Sequence, residues 1–175
     1  GNQHLYIERT IYPAKHIEVQ LLADEHGNVI HLGERDCSLQ RNNQKVIEFA
    51  PAFTISEATR EKICTAAVQA AKAIGYTNAG TIEFLVDEDE NFYFMEMNTR
   101  LQVEHPISEM VTGIDIVKAQ IEIAEGKPLP LEQKDIQING FAIESRLNAE
   151  NPYKNFQPSS GHISRLFLPT GGMGL

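Results

Sequence analysis

The chain has 175 residues, 42% of them apolar and 22% charged, with a formal net charge of -9. That length suits one hydrophobic core with an appendage rather than two full domains. No run approaches the roughly eighteen apolar residues of a membrane span, and so acidic a balance argues against a nucleic-acid binder, whose phosphate contacts rest on clustered Lys and Arg.

Residues 1–4 carry no signal-peptide pattern and read as an artificial boundary. Residues 5–8 read as a short strand, and residues 15–24 alternate so that Ile17, Val19 and Leu21 share a face. Residues 25–28 then supply a turn, and 29–32 return as the partner strand. Ser56 suits the N-cap of a helix in which Ile63, Ala67, Ala70, Ala71 and Ile74 recur at helical spacing until Gly75 closes it. Residues 79–86 and 92–97 form a second hairpin, and 115–124 a second helix ended by Gly126. After a linker over 127–134, residues 137–147 and 162–168 read as strands. The glycine-rich run over 171–175 reads as the edge of a segment cut from a longer protein. Cys37 and Cys64 lack metal-type spacing, and Cys37 has no His or helix N-terminus evidently beside it, which favours a small buried hydrophobe over a nucleophile. A reducing, cytoplasmic setting suits both.

If Asp87 faces Phe92 in the second hairpin, Glu83 stands opposite Glu96, while Ile82, Phe84 and Val86 share the other, core-facing side with Tyr93, Met95 and Met97. Two carboxylates so placed call for a divalent cation or a shared proton. With Asn98 one step beyond, they suit a hard ion such as Mg²⁺; two glutamates facing solvent on a sheet edge is the alternative. The next loop is rich in polar groups. Arg100 can hold an oxyanion bidentately, and Glu104, if desolvated, can act as a general base; a solvated Arg–Glu pair is the plainer reading. Arg35, Arg41 and Lys45 with their amide neighbours make a positive patch suited to nucleotide phosphate or a small anion, or else a surface loop paired to Glu34 and Asp36. His16 suits either a ligand contact or a satisfied strand-end histidine.

Taken together, KHIEVQ from Lys15, ERDCSLQRNNQK from Glu34, GTIEF from Gly80 and EMNTRLQVEHP from Glu96 strongly resemble biotin carboxylase, an ATP-grasp family, in order and in spacing. The resemblance implies an α+β fold: the C-terminal half of an ATP-grasp domain over residues 1–136, mainly antiparallel sheet with flanking helices, then the truncated start of the C-terminal domain over 137–175. It also implies ATP- and Mg²⁺- (or Mn²⁺-) dependent carboxylation of biotin by bicarbonate through carboxyphosphate. The biotin is held on a biotin carboxyl carrier protein, and a carboxyltransferase completes an assembly such as acetyl-CoA carboxylase. A full-length homodimer is part of the same picture.

Carried over residue by residue, Glu8 and the backbone at Ile11 meet adenine, His16 and Gln40 lie near the nucleoside, and Asn43 stands where the family often has a histidine that approaches the ribose. Glu83 and Glu96 ligate the metal, assisted by Asn98. Lys45, Arg100, Gln102 and Val103 hold bicarbonate, Glu104 is the base, and Arg146 in IESRLNAENP steadies the biotin enolate. The family's phosphate-covering lid and its lysines precede the segment, so the segment alone is expected to bind nucleotide weakly and not to turn over. The competing reading is a non-catalytic ATP-grasp nucleotide-binding module, which would be expected to lose one of these charged residues; all are present.

Overall fold

The computed structural model describes residues 5, 7–168 and 171. A six-stranded antiparallel sheet in the order β5-β4-β1-β2-β3-β6 dominates it. Its strands are β1 (Lys15–Ala23), β2 (Val29–Arg41), β3 (Gln44–Ala50), β4 (Asn78–Val86), β5 (Phe92–Asn98) and β6 (Ala142–Ser145). Three helices flank it: α1 (Glu57–Ala73), α2 (His105–Thr112) and α3 (Ile116–Ala124). The expected α+β class with a mainly antiparallel sheet is what the chain adopts.

The alternation of β1 assigns its two faces. Ile17, Val19 and Leu21 pack with Ile82, Phe84 and Val86 of β4 against Ile63, Cys64, Ala67 and Ala71 of α1. Leu22 joins Ile30, Leu32 and Ala79 on the other side, under Ile116 and Ile123 of α3. Glu18 and Gln20 share that second side and are fully buried. A smaller cluster of Ala50, Ile107, Val111 and Ala142 seats α2 against β3 and β6.

Local sequence explains the element ends. Ser56 caps α1 through its side chain, accepting from the Thr59 amide, and Asp115 caps α3 in the same way at Lys118. The β1–β2 register shifts between Val19 and Leu21, and Gly33, at φ 79°, supplies the left-handed residue such a bulge favours.

Several expectations are corrected. Leu5, Ile7 and Glu8 form no strand, and Leu5 and Ile7 are almost wholly exposed; Tyr6 lies outside the described residues. Residues 162–168 likewise pair with nothing, and of 137–147 only β6 is strand, since an isolated strand leaves its backbone unpaired. Residues 34–45 are not a surface loop: β2 runs on to Arg41, and a tight turn at Asn42 and Asn43 leads into β3. Helix α2 was not anticipated. In β5, a bulge between Glu83 and Phe84 of the partner strand puts Phe92, rather than Tyr93, against the core, and leaves Met95 39% exposed.

The chain divides into two compact units, 1–145 and 146–175. The first extends to Ser145 because β6 pairs with β3. The second, described by itself, contains a two-residue pairing of β7 (Glu150–Asn151) with β8 (Gln157–Pro158). Of the expected terminal runs, residues 1–4 and all of 171–175 but Gly171 lie outside the described residues. No helix among the described residues is long and apolar enough to cross a membrane.

Candidate active site

On the α3 side of the sheet, one row of cross-strand partners runs Glu96, Glu83, Glu18, Arg35 across β5, β4, β1 and β2. Three carboxylates in succession followed by a single guanidinium is a row that calls for further cations, hydrogen-bond donors or a shared proton. The protein supplies one from β3. Lys45 Nζ donates to Glu18 Oε2 at 2.5 Å, Glu104 Oε1 at 2.7 Å and Glu83 Oε1 at 3.0 Å, which engages all three ammonium hydrogens.

Glu83 is the hub. Besides Lys45, its Oε1 accepts from Gln102 Nε2 at 2.8 Å and from Asn98 Nδ2 at 2.9 Å. Its Oε2 lies 2.5 Å from His16 Nε2. Gln40 Nε2 donates both to the Cys37 carbonyl and to His16 Nδ1, each at 2.9 Å, which assigns the ring proton to Nε2. Burial works to raise the Glu83 carboxyl, but the His16 hydrogen bond and the Lys45 charge outweigh it and hold the group at about 2. For Glu18, burial is outweighed by Arg35 and Lys45, and its carboxyl stays below the usual range. Burial would lower the Lys45 ammonium, yet Glu18 and the bond to Glu104 push it well above its ordinary value.

A divalent cation fits this arrangement. Asn98 Nδ2 reaches both Glu83 Oε1 and, at 3.2 Å, Glu96 Oε1, so two carboxylates and one amide converge from two adjacent strands. The row and loop bring three carboxylates, Glu18, Glu83 and Glu104, to two cations, Lys45 and Arg35, and Glu96 adds a fourth through Asn98. The surplus is negative and the donors are hard oxygens, the set that Mg²⁺ or Mn²⁺ takes while keeping other positions for water and phosphate. His16, Glu18 and Glu83 also bring ligand atoms within 4.8 Å of one another, as do Glu18, Cys37 and Glu104, but in both groups the Lys45 ammonium already bonds two of the carboxylates. Cys37 is buried, and burial pushes its thiol far above the usual range, which makes it inert.

The structure therefore brings together His16, Gln40, Lys45, Glu83, Glu96, Asn98, Gln102 and Glu104 of the expected set. Arg100 and Val103 lie in the same loop as Gln102 and Glu104; Val103 is 61% exposed, and Arg100, also exposed, donates to the Leu101 carbonyl. Asn43 sits exposed in the β2–β3 turn at φ 61°. Glu8 is in the exposed N-terminal segment, and Ile11 lines a cleft with Arg9, Tyr12, Asp87 and Asp89. Arg146 is the first residue of the second unit.

Sequence reasoning missed Glu18 and Gln20 as parts of the site. Glu18 and Gln20 alternate with Ile17, Val19 and Leu21, so polar residues on the second face of a central strand were the available signal. Of the two expectations for the positive patch, the surface loop does not hold: Arg35 is fully buried and bonds Glu18, while Lys45 turns inward.

Comparison with known proteins completes the description. Residues 1–132 match the family described as carbamoyl-phosphate synthase L chain, ATP binding domain. The chain is 56% identical over 176 aligned residues to biotin carboxylase 1 of Bacillus subtilis, covering 100% of this chain and 39% of that protein. The crystal structure of the biotin carboxylase subunit of pyruvate carboxylase superposes with a TM-score of 0.89 at 59% identity, over 95% of this chain and 37% of that one. The biotin carboxylase domain dimer of Hydrogenobacter thermophilus 2-oxoglutarate carboxylase, solved with MgADP, ADP and bicarbonate, gives 0.90 at 56% identity, over 94% and 36%. The chain thus spans less than two fifths of the length of each of these relatives.

Proposed function

From the premise that this chain belongs to the family of the carbamoyl-phosphate synthase L chain ATP-binding domain, we propose that it forms the catalytic centre of a biotin carboxylase. In this reading the enzyme couples ATP cleavage to carboxylation of biotin by bicarbonate. The observation that carries it is the meeting at Glu83 of a metal-type carboxylate pair with Glu96 and a cationic cluster through Lys45. A binding module has no need of a partly buried ammonium held by three carboxylates, whereas a reaction that brings an anion to a phosphate does.

Glu83 and Glu96, assisted by Asn98, hold Mg²⁺ or Mn²⁺, which offsets the charge of the nucleotide phosphates when bound. Gln40 and His16 lie toward the nucleoside, with Asn43 at the turn beyond them. Glu8 and Ile11 meet the adenine. Lys45, Arg100, Gln102 and the Val103 backbone hold bicarbonate. Glu104, 2.7 Å from the Lys45 ammonium, takes the bicarbonate proton as a bicarbonate oxygen forms its bond to the γ-phosphorus and the bond from that phosphorus to the ADP oxygen breaks. The resulting carboxyphosphate splits into CO₂ and inorganic phosphate beside biotin; the phosphate takes the ureido N–H proton, Arg146 steadies the enolate so formed, and the ureido nitrogen bonds the carbon of CO₂. The ATP-grasp part extends to about residue 136, and the C-terminal domain begins at about residue 137.

The biotin is presented on a carboxyl carrier protein and a carboxyltransferase takes the product, in an assembly such as acetyl-CoA carboxylase. The full-length enzyme is a homodimer. Two free buried cysteines suit the cytoplasm. The test is incorporation of labelled bicarbonate into free biotin by the full-length enzyme with Mg²⁺ and ATP. Acid-labile carboxybiotin supports the reading, and ATP-dependent nucleotide binding with no carboxylated product contradicts it. Tested alone, residues 1–175 are expected to bind nucleotide weakly and carboxylate nothing; brisk turnover by them would refute that part.

A further inference from the structure

Resting on the bicarbonate reading, we infer that Arg35 is a positioning residue that sets which end of the Gln102 amide faces the anion. Arg35 has no exposed surface, and its five N–H groups meet five acceptors. Nε donates to Glu18 Oε1 at 2.6 Å; Nη1 donates to Gln20 Oε1 at 2.8 Å and Ser108 Oγ at 2.9 Å; Nη2 donates to Gln102 Oε1 at 3.0 Å and Thr81 Oγ1 at 3.4 Å. One guanidinium thereby ties together β1, β2, β4, α2 and the loop that precedes α2.

The chemistry of the donor fixes two orientations. A guanidinium only donates, so Gln102 must turn its oxygen toward Arg35 and its nitrogen toward Glu83, where Nε2 to Oε1 is 2.8 Å. That nitrogen carries a second N–H, the kind of group an anion binds. The flipped amide would present a carbonyl oxygen instead, which repels an anion and leaves the Arg35 and Glu83 contacts mismatched. In the same way, Arg35 takes Glu18 Oε1 and leaves Oε2 for Lys45 at 2.5 Å. With all five donors so engaged, Arg35 donates to no metal ligand and lies one carboxylate away from Lys45, yet both Gln102 and Lys45 are oriented through it. The relay reaches the nucleotide side only at one remove, through the Gln102 and Lys45 bonds to Glu83, and Glu83 keeps its bonds from Asn98 and His16 without it, so its loss should fall mainly on bicarbonate and separate the two substrates.

The experiment uses the full-length enzyme with ATP, Mg²⁺, free biotin and varied bicarbonate, comparing wild type with Arg35→Lys and Ser108→Ala. Lysine keeps the charge but has three donors without the planar fork. The expected result is a rise in the bicarbonate KM of about tenfold or more for Arg35→Lys, about the factor one lost charge-assisted bond gives. Ser108→Ala, which removes one neutral acceptor and places no new charge, should raise it a few-fold. In both, the ATP KM should stay within about twofold of wild type. If Arg35→Lys does not fold, Ser108→Ala decides. Folded variants whose bicarbonate KM is unchanged, or whose two KM values rise together, overturn the inference while leaving the biotin carboxylase reading intact. A wild type whose ATP hydrolysis ignores bicarbonate overturns that reading, and this inference with it.

Discussion

Glu83 and Glu96 stand directly opposite each other on β4 and β5, and a bulge one residue away sets that register. Without it the pairing nearer the turn, Val86 with Phe92, would carry through and place Met95 opposite Glu83. The two carboxylates meet only at the side chain of Asn98. Because Glu83 is also held by Lys45, Gln102 and His16, Glu96 is the ligand whose removal perturbs least else. Glu96→Gln should weaken Mn²⁺ binding in the presence of ADP by about ten- to a hundredfold, measured by electron paramagnetic resonance, with the fold unchanged by circular dichroism.

Removing Lys45 has the opposite character. Lys45→Met would leave Glu18, Glu83 and Glu104 facing one another with no ammonium among them. The expected cost is about 3 kcal/mol of stability, since an uncompensated buried charge outweighs the pair's own contribution. Urea unfolding should show it as a lower midpoint at constant slope. Adding Glu18→Gln to the Lys45→Met chain should recover part of the loss, a coupling that a double-mutant cycle reads directly.

Acid sensitivity should trace in part to Asp24. Its carboxylate accepts from the His26 and Asn28 amides at 2.9 Å each, from Asn28 Nδ2 at 2.7 Å and from the Leu129 amide at 2.8 Å. Burial works to raise its carboxyl, but these bonds outweigh it and bring the group below its ordinary value of 3.8. A depressed folded value means the contribution is complete above that ordinary value and is lost as pH falls below it through the folded one. Asp24→Asn should cost about 2 kcal/mol at neutral pH, and below pH 3.8 its melting temperature should converge on that of the wild type.

The N-cap of α1 offers a sharper discrimination than a simple deletion. Glu90, from the β4–β5 loop, accepts from the Ser56 amide at 2.9 Å and from the hydroxyls of Ser56 and Thr59, and those bonds hold its carboxyl at about 2. Ser56→Ala should therefore cost about 1 kcal/mol, the usual value of a lost cap. Asp and Asn are ordinarily equivalent N-caps, but here Ser56→Asp should be less stable than Ser56→Asn, because its charge would meet Glu90. Thermal melts of the two variants at neutral pH check the order.

Much of this was legible in the sequence, and the exceptions have physical reasons. The α1 cap and its three-and-four apolar repeat, the two hairpins and α3 were readable because each is specified locally by caps, turns and periodicity. The carboxylate pair was expected from a register, Asp87 facing Phe92, that the turn does not adopt: Phe92 pairs with Val86, and the bulge at Met95 restores Glu96 opposite Glu83 while redistributing Tyr93, Met95 and Phe92 in a way that alternation does not encode. Helix α2 was hidden: Pro106 at its start and the polar residues before it look like loop, and its support comes from Ala50 and Ala142 far away in the chain. The buried Arg35–Glu18 pair was hidden for a related reason. A charge in a strand looks the same in sequence whether it faces water or a partner, and only the pairing of β1 with β2 and β4 says which.

The most direct test of the central claim is bicarbonate-dependent ATP hydrolysis by the full-length enzyme, with and without biotin, comparing wild type with Glu104→Gln. The account predicts that wild-type hydrolysis requires bicarbonate and rises with biotin, and that the glutamine variant loses about a hundredfold or more of it, as expected for removal of a general base. ATP hydrolysis indifferent to both bicarbonate and biotin, or a Glu104→Gln enzyme as fast as wild type, would contradict it.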